Sequence, residues 1–403
     1  MDRLGDKVCC NPTVKLKKGE YYPLIDIEKI TPGYKTVRNQ EEIVFNGQSC
    51  TKFEDRDVLF ARITPCLENG KIAMADTNGK CGIGSTELFV FRGIEGISNT
   101  DYVYYLLRMN HIRQLAANSM TGASGRQRAD LNFIKKIKWQ FPVIEQQQKI
   151  ASILSAYDNL IENNNKRIKL LEQMAENFYK EWFVRFRFPN YQNTEFENGI
   201  PNGWKVENLD DFGITLDTGS RPSGGIDDSL CNGVPSLGAE AIKELAEFDY
   251  SSVKYVPIEY YEKMKRGKFD RNAILLYKDG AYIGKTTIFR NGFPFVKFAV
   301  NEHVFLIKAN NFAYQNYLYF TLHQKEYFYT MQNLNRNAAQ PGLAQPDIKR
   351  VKIVVPVESV VEKYNQIIEP LLDVVFQLAK INRNLIKQRD MLLPRLMSGK
   401  LEV

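Results

Sequence analysis

A chain of 403 residues has room for two or three compact domains, which usually run to about 100–200 residues each. With 44% hydrophobic and 25% charged residues it has the composition of a folding protein, and no apolar run reaches the ~20 residues of a membrane-spanning helix. Fifty-four Lys and Arg against 47 Asp and Glu leave a net charge of +7, which favours polyanionic partners without identifying one. Six cysteines (Cys9, Cys10, Cys50, Cys66, Cys81 and Cys231) form no C-x-x-C pair and follow no secretory signal, so reduced thiols in a cytoplasmic protein are expected.

In chain order, the first half begins with strand-like segments, "DVLFARI" (Asp57 to Ile63) and "TELFVF" (Thr86 to Phe91), with a Gly70-Lys71 pair between them. "TGASGRQR" (Thr121 to Arg128) follows, then "FIKKIKWQFPV" ending near Pro142. From about Glu145 to Arg185, apolar residues recur at steps of three and four (Ile150, Ile153, Leu154, Ile161, Leu171, Phe178, Trp182), which predicts one long amphipathic helix. A linker rich in Pro, Gly and Asn, Phe186 to Trp204, leads into the second half.

The second half repeats the first. Ile150 and Tyr364, Ile153 and Ile367, Leu154 and Ile368, Leu171 and Leu385, and Trp182 and Leu396 are each 214 residues apart. So are Pro142 and Pro356, and the Gly70-Lys71 and Gly284-Lys285 pairs, and the strand-like runs "NAILLY" and "EHVFLI" echo those of the first half. A core helix has no reason to recur together with its own attached domain, so the chain reads as a duplicated unit: domain, helix, domain, helix. Two such helices can return on each other as an antiparallel coiled coil of roughly 60 Å.

Little in the sequence points to catalysis. "GAYIGKTT" (Gly280 to Thr287) has three residues where a phosphate loop needs four, and "CGIGSTE" lacks the third glycine of a dinucleotide site. His111, His303 and His323 are too scattered to suggest a metal or a catalytic triad and read as surface or structural histidines. No Asp/Asn-Pro-Pro-aromatic sequence of the amino-methyltransferase kind is present.

Several phrases resemble a known family. "IPNGWKVENLDDFGITLDTGSRPSGG" (Ile200 to Gly225) is similar to the opening of a target-recognition domain of Type I restriction-modification specificity subunits. "FPVIEQQQKIASIL" and "MAENFYKEWFVRFRFP" resemble the two ends of that family's first helical region, and "LLPRLMSGKLEV" the close of its second. The first half lacks the Pro-x-Gly-Trp phrase, and "VESVVEKY" stands where the first helix has "IEQQQKI", a change expected to alter a partner contact.

The resemblance implies two pseudo-symmetric α/β (α+β) target-recognition domains joined by two long antiparallel coiled-coil helices: residues 1–142 and 187–356 for the domains, 143–186 and 357–403 for the helical spacers. It implies a non-catalytic DNA-specificity subunit, each domain reading one half of a split, asymmetric sequence in double-stranded DNA. The spacer would set the gap and dock methyltransferase subunits, two of them, with restriction subunits able to join. No cofactor is expected in this chain; S-adenosylmethionine would belong to the methyltransferase. The alternatives are an RNA- or protein-binding scaffold of the same architecture and an enzyme with a scattered site.

Arg, Lys, Asn, Gln and Ser suit base edges and phosphates. The DNA-contact candidates are therefore Arg62, Lys71, Ser124, Arg126, Gln127 and Arg128 in the first half. In the second they are Ser220, Arg221, Ser223, Lys285, Asn335, Arg336, Asn337 and Gln340. Trp182, Phe183 and Phe186 are candidates for partner docking, since aromatics concentrate at interface hot spots, with packing inside the helical end as the alternative.

Overall fold

The structure, a computed structural model, describes residues 1–39, 41–122, 125–222, 225, 230, 232–269, 271–335 and 342–403. Two compact units divide the chain: one comprises Met1–Asn163 with Asn384–Val403, the other Asn164–Arg383.

In the first unit, a mixed sheet has the spatial order Val8–Cys10, Leu88–Gly93, Val58–Ala61, Ile72–Ala75, Thr36–Val37. Its central strands carry uninterrupted apolar runs because both faces are covered. Val58 and Phe60 point into one core with Phe89, Phe91 and the helix Thr100–Arg108, while Leu59 and Ala61 point into a second core with Leu88, Val90 and Phe53. A second sheet has the order Glu42–Val44, Tyr21–Ile25, Gly82–Gly84, Thr51–Phe53, with its middle pair parallel. Asn99 starts the covering helix by accepting a hydrogen bond from the Tyr102 amide at 3.0 Å, the usual N-cap arrangement.

The second unit repeats this plan strand for strand. One sheet runs Ile214–Thr218, Val304–Ala309, Ala273–Tyr277, Thr286–Phe289, and the other Lys254–Val256, Val234–Leu237, Phe298–Val300, Lys268–Phe269, again with a parallel middle pair. Among the described residues, the edge strand Thr36–Val37 has no counterpart in the second unit, and the pair Phe196–Glu197 with Ile200–Pro201 has none in the first. Both repeats also start and finish on matched strands: Asp2–Arg3 pairs with Lys138–Trp139, and Lys205–Asn208 with Lys352–Val355.

The two long helices form where the 3.6-residue pattern predicts them, over Ile144–Tyr179 and Glu358–Met397. Each supplies one end to each unit. A π-helical turn, Lys180–Val184, follows the first directly. Within the second unit the helices run antiparallel: Asn164 donates to Asn382 at 2.8 Å, and eighteen residues on, Trp182 packs against Tyr364. Asn382 donates in turn to Asn165 at 2.8 Å, a polar step in the seam of the kind that fixes register. Within the first unit, Asp158 of the first helix pairs with Arg389 of the second at 2.5 Å, both side chains 2% exposed. The Tyr105 hydroxyl donates to the same carboxylate at 2.5 Å, so the buried ion pair is satisfied on more than one side.

One position of the divergent "IEQQQKI" and "VESVVEKY" phrases packs inside each repeat. Gln147 is fully buried; its amide donates to the carbonyls of Ile97 and Pro142 and accepts from the Asn99 amide, tying the helix start to its own domain. The residue 214 positions later is Val361, buried in apolar core. At this position the difference changes packing within the repeat, while Glu145, Gln148 and Lys149 of the same phrase are exposed.

Candidate nucleic-acid interface

In the first unit, the loop that follows the helix Asn110–Asn118 is closed by a backbone pair: Thr121 and Arg128 exchange N–H···O bonds of 3.1 and 3.0 Å. It is seated on the sheet by three further bonds, from Thr64 to Gln127 (3.0 Å), from Ala129 to Arg62 (2.8 Å) and from Arg62 to Glu87 (3.0 Å). This frame brings Arg62 and Arg128 onto one carboxylate. Arg128 grips Glu87 through Nε and Nη2 at 2.6–3.0 Å, and Arg62 Nε reaches it at 3.3 Å with its guanidinium over the Phe89 ring. The Arg128 hydrogen bond, followed by that of Arg62 against an opposing burial effect, holds the Glu87 carboxyl below the usual carboxylate range. Two half-exposed guanidinium groups are thereby fixed in orientation, and a fixed fork recognises guanine or phosphate without first losing its freedom.

The corresponding frame recurs in the second unit. Leu343 donates to the Lys278 carbonyl at 3.0 Å, Lys278 to the His303 carbonyl at 3.0 Å, and Asp279 bridges to Gly342. Lys278 lies over the Phe305 ring as Arg62 lies over Phe89, with cation-to-centroid distances of 5.6 and 5.4 Å. Its ammonium reaches Asp279 at 2.8 Å, His303 Nδ1 lies 3.1 Å from the same carboxylate, and Arg221 pairs with Glu302 at 3.0 Å. Hence Lys278 takes the place of Arg62, Phe305 that of Phe89 and His303 that of Glu87.

Three of these residues, Lys278, Asp279 and His303, are absent from the sequence-based candidates because the repeat offset shifts. Strand pairing sets Leu59 opposite Val90 and Leu275 opposite Leu306, so these strands stand 216 residues apart. The neighbouring strand keeps 214, with Ala73 and Thr287 as equivalents. The turn between is two residues shorter in the second repeat, so a single offset of 214 matches Arg62 to Leu276 instead of Lys278. The "TELFVF" and "EHVFLI" runs, aligned on their Phe residues, carry the signal that would have corrected it.

The remaining candidates fall in several places. Arg126 is exposed and Gln127 half-buried in the first loop. Lys71 is turned to the Ile27 carbonyl at 2.8 Å, and Lys285 to Glu244 at 3.0 Å. Ser220 shares a hydrogen bond with Tyr260 at 2.7 Å, beside Arg221. Asn335 accepts from the Gly342 amide at 3.2 Å and so closes the second loop. Ser124, Ser223, Arg336, Asn337 and Gln340 lie outside the described residues.

Trp182 and Phe183 are 7% and 5% exposed and pack with Tyr364, Tyr317 and Trp204, so the helical end uses them for its own core. That is the packing alternative, and burial leaves their rings no surface for a partner. Phe186 is partly exposed between Phe196 and Trp204. Exposed apolar side chains occur instead along the long helices, among them Leu160, Leu170, Met174, Ile386 and Met391.

Comparison with known proteins bears on this geometry. A family model described as Type I restriction modification DNA specificity domain matches residues 9–173 and again residues 201–388. The chain is 28% identical to the Type I restriction enzyme MjaIX specificity subunit of Methanocaldococcus jannaschii, over 97% of this chain and 90% of that one. It is 24% identical to the putative MjaX specificity subunit of the same organism, over 94% and 84%. Among solved structures, the Type I restriction-modification S subunit from M. genitalium shares the fold with a TM-score of 0.54 at 15% identity, covering 98% of this chain and 94% of that one.

Proposed function

The chain belongs to the Type I restriction-modification DNA specificity family, and from that premise we propose that its two repeats read the two halves of a bipartite, asymmetric DNA sequence, one half each. The observation that carries this reading is the recurrence of one frame with different side chains. Arg62 and Glu87 in the first repeat, and Lys278 and His303 in the second, occupy matched backbone positions beside a loop, while Gly342 stands where the first loop has Arg128 and Asp279 where the first strand has Ile63. A duplicated scaffold with unlike reading groups recognises unlike half-sites.

The chain itself supplies recognition and no chemistry. Phosphate attraction comes from its basic excess, and base discrimination from bidentate or charged groups at base edges. The long helices are about 54 and 60 Å at 1.5 Å per residue, and they act as the ruler that sets the gap between half-sites. Their exposed apolar residues dock two methyltransferase subunits, which hold the S-adenosylmethionine, and restriction subunits join the same assembly.

The reading is tested by mapping N6-methyladenine in a host that expresses the chain with its methyltransferase, against a strain lacking only this chain. Loss of one split motif on deletion supports it. Unchanged methylation, with the methyltransferase active, would remove it.

A further inference from the structure

Glu172 and Glu176 stand one turn apart on the first long helix and share a face. His323 closes the helix Gln315–His323 in the same unit. The sequence gives no hint of their association, yet one ligand atom from each of the three lies within 4.8 Å of the other two. The His323 ring is already oriented: Nδ1 sits 3.1 Å from the Thr286 hydroxyl, and the ring lies against Tyr319, tilted by 32° with centroids 5.2 Å apart. A second partner on one ring nitrogen is how ligating imidazoles are usually held, and it leaves Nε2 for the ligand.

The charge around the site is unbalanced. Glu244 and Glu247 add two more carboxylates near Glu172. Lys285 is engaged with Glu244 at 3.0 Å and Lys180 with Glu176 at 3.1 Å. Glu172, half-buried, has no ion-pair partner among the described residues; its one compensating contact is the Leu245 backbone amide. A carboxylate in that position is stabilised most by a cation.

We propose that Glu172, Glu176 and His323 bind a divalent transition-metal cation of the zinc class. Two carboxylates with one imidazole form a mixed oxygen–nitrogen set, which favours such ions over magnesium or calcium, whose sites are built from oxygen. Tetrahedral bonds of ~2.1 Å set ligand atoms about 3.4 Å apart, so separations of up to 4.8 Å close by at most about 1.4 Å, or roughly 0.8 Å of movement per ligand atom, which side-chain rotations supply. The bound ion fastens the C-terminal part of the first long helix to the helix Gln315–His323, and water completes its coordination. This site stands apart from the DNA reading above and does not depend on it.

The test uses the full-length, metal-stripped protein. Calorimetric titration with Zn2+ should show one equivalent bound, with H323Q and E176Q each weakening it by about 100-fold or more. Excess Zn2+ should raise the unfolding temperature of the native chain by roughly 5 °C and leave both variants unmoved. Co2+ loading should give visible ligand-field bands without thiolate charge transfer. Should H323Q fail to fold, E176Q, which alters a half-exposed helix residue, carries the comparison. No uptake by the native chain, equal uptake by both variants, or a thiolate spectrum pointing to the cysteines would overturn the proposal.

Discussion

The two repeats share a strand order but differ in how they join the long helices. In the first, a buried polar centre sits beside apolar packing by Ile150, Leu154, Leu393 and Leu396: Asp158 and Arg389 form an ion pair, and Lys35 donates to Asp101 and Ser155. In the second, the positions 214 residues away are Leu372 and Ala175, both fully buried in apolar core. Polarity there is found instead at Arg290, itself buried, whose guanidinium is held by the more exposed Glu369 and by Asp373 at 2.7 Å. The same backbone geometry therefore tolerates either chemistry. The lesson concerns specificity of assembly: a buried ion pair adds little net stability over an apolar pair but penalises any arrangement that leaves one charge alone.

That comparison can be broken most severely at Arg389. R389A takes the nearest cation from the Asp158 carboxylate, leaving it the Tyr105 hydroxyl and the more distant Arg108 at 3.8 Å, and should lower unfolding free energy by about 3 kcal/mol in denaturant melts, whereas D158L combined with R389M should recover part of the loss. A double variant no better than R389A would show that the pair is not the determinant. In the second repeat, L372A should cost about 2–5 kcal/mol, as a cavity rather than as a stranded charge, and no polar partner should rescue it.

The reading frames give the next effect. R62A or R128A should weaken binding of the assembled complex to its own DNA sequence by about 1–3 kcal/mol, with discrimination relaxed at one half-site only. K278A should do the same at the other half-site. A uniform loss across both, with a reduced salt slope, would mean that these cations contact phosphate instead.

The smallest effect is a pH dependence in the first frame. Glu87 has a lowered folded-state pKa, so its stabilisation is present above the ordinary carboxylate range and disappears as pH falls through the folded value. E87Q should remove about 1 kcal/mol at neutral pH and flatten the acid limb of a stability profile, with native and variant converging in acid.

Much of the fold was legible in the sequence because it rests on periodicity. Both long helices and their duplication follow from apolar residues at fixed spacing, and the paired strands follow from runs such as "DVLFARI". What a single offset could not show was side-chain partnership. Arg62 and Arg128 were recognisable as DNA-seeking types, but their joint grip on Glu87 depends on strand register. Lys278 and His303 were hidden by a two-residue change in turn length. Trp182 and Phe183 illustrate the opposite error, since an aromatic pair at a helix end looks alike in sequence whether it faces a partner or its own core. His323 met Glu172 and Glu176 only through folding.

The central claim is that each repeat reads its own half-site through its own frame. The most direct measurement is N6-methyladenine mapping of hosts carrying R62A with R128A, or K278A with H303Q, beside the unaltered chain. The account predicts that each double variant degrades one half of the split motif and leaves the other half and the gap intact. Equal degradation of both halves by either variant, or an unchanged motif with both, would contradict it.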